Sequence, residues 1–132
     1  MGNTKPIVVA VDNSPSMKKL LERSTENLDI DLTVFASANE AWSYLQSNTP
    51  DLLILNIIMP IKDGLSMLNE VRRLPNHRQT QVIIVSSKDY AQDRILANEL
   101  GVLEFIAKPM PMQTITDVVV KYTQASLKND NN

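Results

Sequence analysis

The chain reads as an α/β protein, a doubly wound sandwich whose five-stranded parallel sheet runs in the order 2-1-3-4-5. Three observations predict this. Short apolar runs alternate with amphipathic helical patterns five times along the 132 residues, which calls for βαβ units with right-handed crossovers. The apolar runs are nearly unbroken, as in strands covered on both faces. The length suits one domain spanning 1–132, with a core over about 5–127 and a polar C-terminal tail. No repeat, linker or second domain interrupts it.

The elements follow in order. Ile7 to Val11 forms the first strand. Ser14-Pro15 reads as a helix cap with proline at the first helical position, and Met17, Leu20, Leu21, Ser24 and Leu28 share one face of that helix. Leu32 to Ala36 is a weaker strand. Ser37 to Glu40 has capping-box spacing, and Ala41, Trp42 and Leu45 pack behind it, Trp42 as core or half-buried packing. Leu52 to Leu55 is the most apolar strand and is placed centrally. Gly64 leads into a helix with Leu68, Val71 and Leu74 inward. His77 falls in a loop-like Pro75-Asn76-His77-Arg78 stretch and carries no special chemistry. Val82 to Val85 is the fourth strand. Ala91, Ile95 and Leu100 stripe the next helix, which Gly101 closes. Glu104 to Ala107 is the fifth strand, and Ile115, Val118, Val119 and Tyr122 mark the inward face of the last helix. Residues 126–132 are polar and expected to fray.

Composition excludes several functions. A net charge of −2 gives no electrostatic footprint for nucleic acid. There is no cysteine, which removes disulfides, thiolate catalysis and zinc–thiolate sites. A single histidine cannot build a multi-histidine metal site, and with no His or Cys near the predicted site a conventional enzyme is not expected. No apolar run approaches the length of a membrane span, and the first residues lack a signal pattern. The cytoplasm is the expected location.

In sheets of this order the working site lies beyond the carboxyl ends of the strands. That places Asp12, Asn13, Asn56, Ser86 and Lys108 together. The segments carrying them are Val9-Ala-Val-Asp12-Asn13-Ser14-Pro15-Ser16-Met17, Asp51-Leu-Leu-Ile-Leu-Asn56-Ile-Ile-Met-Pro60-Ile-Lys-Asp63-Gly64, Ile84-Val85-Ser86-Ser87, and Phe105 with Lys108-Pro109. Over nearly the whole chain they resemble the receiver domain of response regulators in two-component phosphorelay signalling, a flavodoxin-like fold. The resemblance implies a site in which Asp12 is the first of two adjacent acids and Asn13 stands at the second, a direct Mg²⁺ contact. Asn56 stands at the phosphate acceptor, Ser86 and Phe105 at the switch positions, and Lys108 at the site lysine before a cis proline.

Two of those residues depart from the family's acids. An amide oxygen is a far weaker nucleophile than a carboxylate and forms no aspartyl phosphate. Mg²⁺ prefers carboxylate and phosphate oxygens; the site offers one carboxylate, two amides and the Ile58 carbonyl. Two carboxylates about 5 Å apart would repel by about 3 kcal/mol at an effective dielectric near 20, and that repulsion is absent. No metal or other cofactor is therefore expected unless the acids are restored, and Lys108 is expected to pair with Asp12. The chain is read as a non-phosphorylatable pseudo-receiver acting as a protein-interaction module. The alternative is an ordinary phosphoacceptor whose aspartate has been replaced by Asn56. A flavin or nucleotide binder is disfavoured, because Asn13 to Ser16 has no glycine to cradle a phosphate.

The expected partner is a protein: a histidine kinase, a phosphotransfer protein, an output protein or a second copy of the chain, with neither nucleic acid nor membrane contacted directly. Met17, Ile58, Ile61, Met110 and Met112 lie in or beside loops at the working end of the sheet. Met17, Ile61 and Met110 are the docking candidates, with Lys18, Lys19 and Lys62 as a basic rim. Met17 and Met112 fit an inward helical stripe equally well.

Overall fold

A computed structural model describes residues 5–128. The five strands are β1 (Ile7–Val11), β2 (Asp31–Phe35), β3 (Leu52–Leu55), β4 (Val82–Ser86) and β5 (Glu104–Ala107). They form one sheet in the order β2-β1-β3-β4-β5, every pair parallel. The helices are α1 (Pro15–Thr25), α2 (Ala38–Leu45), α3 (Gly64–Val71), α4 (Ala91–Glu99) and α5 (Met112–Thr123), with a 3₁₀ turn at Pro75–His77. The predicted class and strand order are both present.

Alternation along the strands divides the core into two layers, because successive side chains point to opposite faces. Val8, Ala10, Leu52, Ile54, Ile83 and Val85 pack with Met17, Leu21, Ile115, Val118 and Val119 of α1 and α5. Val9, Val11, Leu53, Leu55 and Ile84 pack with Ala41, Leu45, Leu68, Val71 and Ala97 of α2, α3 and α4. Three helices start on side-chain caps: Ser14 Oγ accepts from the Met17 amide, Ser37 Oγ from Glu40 and Asp63 Oδ1 from Ser66.

Several expectations need correction. Leu28 is not in α1. The Ser24 and Thr25 hydroxyls donate to the Leu20 and Leu21 carbonyls, the helix ends at Thr25, and Leu28 forms an antiparallel bridge with Leu127. That bridge ties down residues 126–128, which were expected to fray; the rest of the predicted tail lies outside the described residues. Leu74 is only half-buried. In α4 the buried residues are Asp93 and Ala97, while Ala91 is exposed, Leu100 half-buried and Ile95 60% exposed. Ile95 is two residues from each inward position, hence about 200° around the helix from both. His77 does not lie in an irregular loop but ends the 3₁₀ turn at Pro75–His77. It is fully buried, with Nε2 2.6 Å from the Leu45 carbonyl and Nδ1 2.9 Å from Thr80 Oγ1. Arg72 Nη1 donates to the His77 and Thr80 carbonyls, closing this corner at the end of the sheet away from Asp12. Among the described residues no helix is long and apolar enough to cross a membrane.

Candidate functional site

The site is built by extending the strand ladders one residue past their carboxyl ends. The Asp12 amide donates to the Phe35 carbonyl, the Asn56 amide to Val11 and the Lys108 amide to Ser86. These bonds set Asp12, Asn56, Ser86 and Lys108 side by side at the tips of β1, β3, β4 and β5. Asp12 is 5% exposed. Its Oδ1 accepts from the Ser14 amide at 2.9 Å and its Oδ2 from Lys108 Nζ at 2.9 Å, so both oxygens are engaged. The expected Asp12–Lys108 pair is present, and the Lys108–Pro109 peptide is cis. Asn13 is exposed.

Asn56 is 7% exposed. Its Nδ2 donates to the Ile58 carbonyl at 2.8 Å, and its Oδ1 has no donor among the described residues. The amide orientation follows from chemistry, since turning it over would set two acceptors against each other. Ser86 is fully buried, and its Oγ accepts from the Lys88 amide at 3.1 Å.

Phe105 is half-buried under a clamp that the sequence did not suggest. The Arg94 guanidinium lies 4.5 Å from the ring centroid and holds both Asp89 oxygens, at 2.5 and 3.1 Å. Hydrogen bonding to Arg94 keeps the Asp89 carboxyl below the usual carboxylate range and raises the Arg94 guanidinium in turn. Asp89 precedes α4, so the pair has no helical spacing that would have revealed it. On the same strand, Glu104 accepts from Tyr122 Oη at 2.6 Å and Lys121 Nζ at 3.0 Å, and those bonds, Tyr122's first, hold its carboxyl low.

Gly64 fixes how closely α3 approaches the site. A Cβ there would lie 2.0 Å from the Asn56 carbonyl oxygen.

The docking candidates separate. Met17 is core, 5% exposed, because it lies on the inward stripe of α1 with Leu21. Met110 is half-buried and lines a groove of about 360 Å³ with Ser14, Ser16, Leu20, Lys108 and Pro109, a groove whose floor Met17 also reaches. Met112 is exposed and so leaves the inward stripe of α5. Lys62 is no free rim charge, since its Nζ is 2.5 Å from Glu70 Oε2; Lys18 and Lys19 are exposed. Ile61 is 97% exposed, and its φ is 72°. The Lys62 amide donates to the Pro60 carbonyl across it, which makes a γ-turn of the strained hand. A β-branched residue there costs about 1–2 kcal/mol and gains no packing. Ile61→Asn, which tolerates this backbone, should therefore raise stability by about 1 kcal/mol in urea unfolding. A loss of that size would mean that Ile61 packs against something in solution.

Residues 8–120 match the family described as the response regulator receiver domain. The chain belongs to that family, a class of signalling modules in two-component systems that interact with proteins such as kinases and output domains. It is 31% identical over 123 residues to the response regulator GtcR of Aneurinibacillus migulanus, covering 92% of this chain and 49% of that one. It is 29% identical to an uncharacterized 14.6 kDa protein of Leptolyngbya boryana, covering 89% and 90%. Among solved structures, the phosphorylated cyanobacterial phytochrome response regulator RcpA superposes with a TM-score of 0.85 at 20% identity, covering 96% of this chain and all of that one. The chain spans about half or less of several curated relatives, 49% of GtcR and 28% of the phosphodiesterase response regulator RpfG.

Proposed function

We propose that this chain is a receiver domain that accepts no phosphoryl group and works by binding a protein partner, in the cytoplasm. The observation that carries this is the Asn56 amide bonded to the Ile58 carbonyl. In the acceptor arrangement that carbonyl would face Mg²⁺. Here it is satisfied by a neutral N–H, and no carboxylate stands at position 56 to attack phosphorus.

The residues present do not fit the metal. The one buried carboxylate at the site, Asp12, is neutralised by Lys108, Asn13 is exposed, and Asn56 turns its nitrogen toward the Ile58 carbonyl. Among the described residues no cluster of three metal-ligating side chains exists. A hard divalent cation would have to displace an ammonium and bind amides in place of acids.

Acetyl phosphate or phosphoramidate with Mg²⁺ should therefore leave the mass of the intact protein unchanged. A stoichiometric, base-labile gain of one phosphoryl group would refute the reading. Asn56→Asp alone should restore acceptance poorly, since Asn13 still withholds a direct metal ligand. Asn13→Asp with Asn56→Asp should recover Mg²⁺ binding and far better acceptance. Equal Mg²⁺ affinity in the single and double variants would remove Asn13 from the account.

The proposed docking surface is the working end of the sheet, with Ile61 as its apolar contact, the Met110 groove beside α1, and the exposed Lys18 and Lys19 of α1 as its basic residues. A strained, fully exposed isoleucine is what a contact residue looks like before its partner arrives. Ile61→Glu should abolish binding to the cognate kinase or phosphotransfer protein while changing stability by no more than about 0.5 kcal/mol. Unchanged binding would move the interface to the face of α4 and α5.

A further inference from the structure

The two edges of the sheet are unlike. At β5, Glu104 is bonded to Lys121 and Tyr122, and Arg94 lies over Phe105, charged side chains of the kind that keep an edge from pairing. β2, the opposite edge, reads Asp31-Leu-Thr-Val-Phe35. It has one acid, neither lysine nor proline, and strand-favouring residues from Thr33 onward. The Asp31 amide donates to the Pro6 carbonyl, and the Phe35 carbonyl accepts from the Asp12 amide. Alternation along the strand therefore directs the main-chain groups of Asp31, Thr33 and Phe35 to β1, and the amides and carbonyls of Leu32 and Val34 outward. Among the described residues nothing bonds to those outward groups. Thr33 is exposed, and Leu32 and Val34 are half-buried along a groove of about 450 Å³ between β2 and α1. The charges lining it balance, Lys18 and Lys128 against Glu22 and Glu26.

We infer that this edge is a self-association site, at which β2 pairs antiparallel with β2 of a second copy across a two-fold axis at Thr33 and joins the two sheets into one. The open groups are main-chain donors and acceptors in strand geometry, which another strand matches in full. Pairing centred on Thr33 sets Leu32 opposite Val34 of the second copy, and the reverse, so every outward amide and carbonyl meets its complement. The same register brings the Leu32 and Val34 side chains together on the α1 face, where both already pack. Thr33 meets Thr33 of the second copy on the other face, a β-branched cross-strand pair. Charge favours a second copy over an unrelated peptide. α1 runs counter to β2, as the crossover requires, so Lys18 lies at one end of the groove and Glu26 at the other, about 12 Å apart along the helix. A two-fold axis midway sets Lys18 against Glu26 of the second copy, and Glu26 against its Lys18, the self-complementarity that such an interface demands. Only Glu22, between them, faces its own kind. None of this depends on whether position 56 takes a phosphoryl group.

The test uses the full chain. It has no cysteine, so Thr33→Cys adds a single thiol per copy. Directly opposed residues that exchange no main-chain bonds hold their Cα atoms about 4.5 Å apart, within disulfide reach. Mild oxidation should convert most of Thr33→Cys into a covalent dimer on non-reducing gels. Leu103→Cys, an exposed position beside β5, should stay largely monomeric under the same treatment. Analytical ultracentrifugation of the parent should show a concentration-dependent dimer. Thr33→Lys sets two ammonium groups together at the axis and, in a single copy, points into solvent. It should raise the dimer dissociation constant about tenfold or more and leave the circular dichroism spectrum unchanged. Lys18→Glu should weaken the dimer, and adding Glu26→Lys should restore it. A parent that stays monomeric at millimolar concentration overturns the proposal and leaves the edge to an extended peptide of another protein. A dimer that survives Thr33→Lys, or that cross-links as readily through Leu103→Cys, overturns it by placing the interface elsewhere. Should Thr33→Lys fail to fold, the contrast between the two cysteine variants decides alone.

Discussion

Gly64→Ala is expected to destabilise the fold by about 3 kcal/mol, near the upper end of what overpacking costs. The direction runs against helix propensity. In an ordinary helix interior alanine is better than glycine by about 1 kcal/mol, and Gly64 is the first residue of α3. The contact decides the sign. The added Cβ would sit 2.0 Å from the Asn56 carbonyl oxygen and 3.0 Å from its carbon, and both are backbone atoms at the tip of β3 that no rotamer change can move. Relief requires α3 to slide outward, which would break the bond from the Gly64 amide to the Ile57 carbonyl and loosen Leu65 and Leu68 in the core. Urea unfolding should give a midpoint well below that of the parent. A stability within about 0.5 kcal/mol of the parent would show that the helix start is not seated against the strand as described. The same variant should disturb the Asn56–Ile58 bond, so local amide shifts near Ile58 should report it even if global stability were spared.

That glycine shows what was legible beforehand and what was not. Its place at a helix start was readable from the sequence; its seat on the Asn56 carbonyl was not, because the approach of two backbones leaves no pattern in residue order. The sheet was legible because strands covered on both faces must be apolar throughout, and Val8 to Val11 and Leu52 to Leu55 are. The Asp12–Lys108 pair was legible because the strand order brings distant residues to one end of the sheet. The errors fall where tertiary contacts overrule periodicity. Ile95 reads as core on any helical wheel, yet α4 turns Asp93 and Ala97 inward. Met17 and Met112 are equivalent as isolated stripe positions, and only the seating of α1 and α5 makes one buried and the other exposed. His77 looked like a loop residue because its partners, the Leu45 carbonyl and Thr80, are respectively remote in sequence and chemically unremarkable. The Arg94 clamp on Phe105 depends on a loop conformation that no spacing rule encodes.

Lys108→Met is expected to cost about 3 kcal/mol at neutral pH in metal-free buffer, the range seen when one partner of a buried ion pair is removed. Asp12 is almost wholly enclosed, and Lys108 Nζ is the only cation bonded to it among the described residues. Without the ammonium, Oδ1 keeps the Ser14 amide but Oδ2 faces a low-dielectric pocket carrying its charge alone. The cost belongs to the stranded carboxylate rather than to the pair, and a second variant separates the two. Asp12→Asn combined with Lys108→Met removes both charges while an amide oxygen remains for the Ser14 N–H. Replacement of a buried pair by neutral groups of similar size is often close to neutral, so the double variant should recover to within about 1 kcal/mol of the parent. Denaturant unfolding of the four proteins of this cycle gives the coupling directly. Additive losses would mean that the two side chains act independently. A harmless Lys108→Met would mean that solvent or another cation reaches Asp12, and the neutral, metal-free pocket proposed for this receiver would then have to be abandoned.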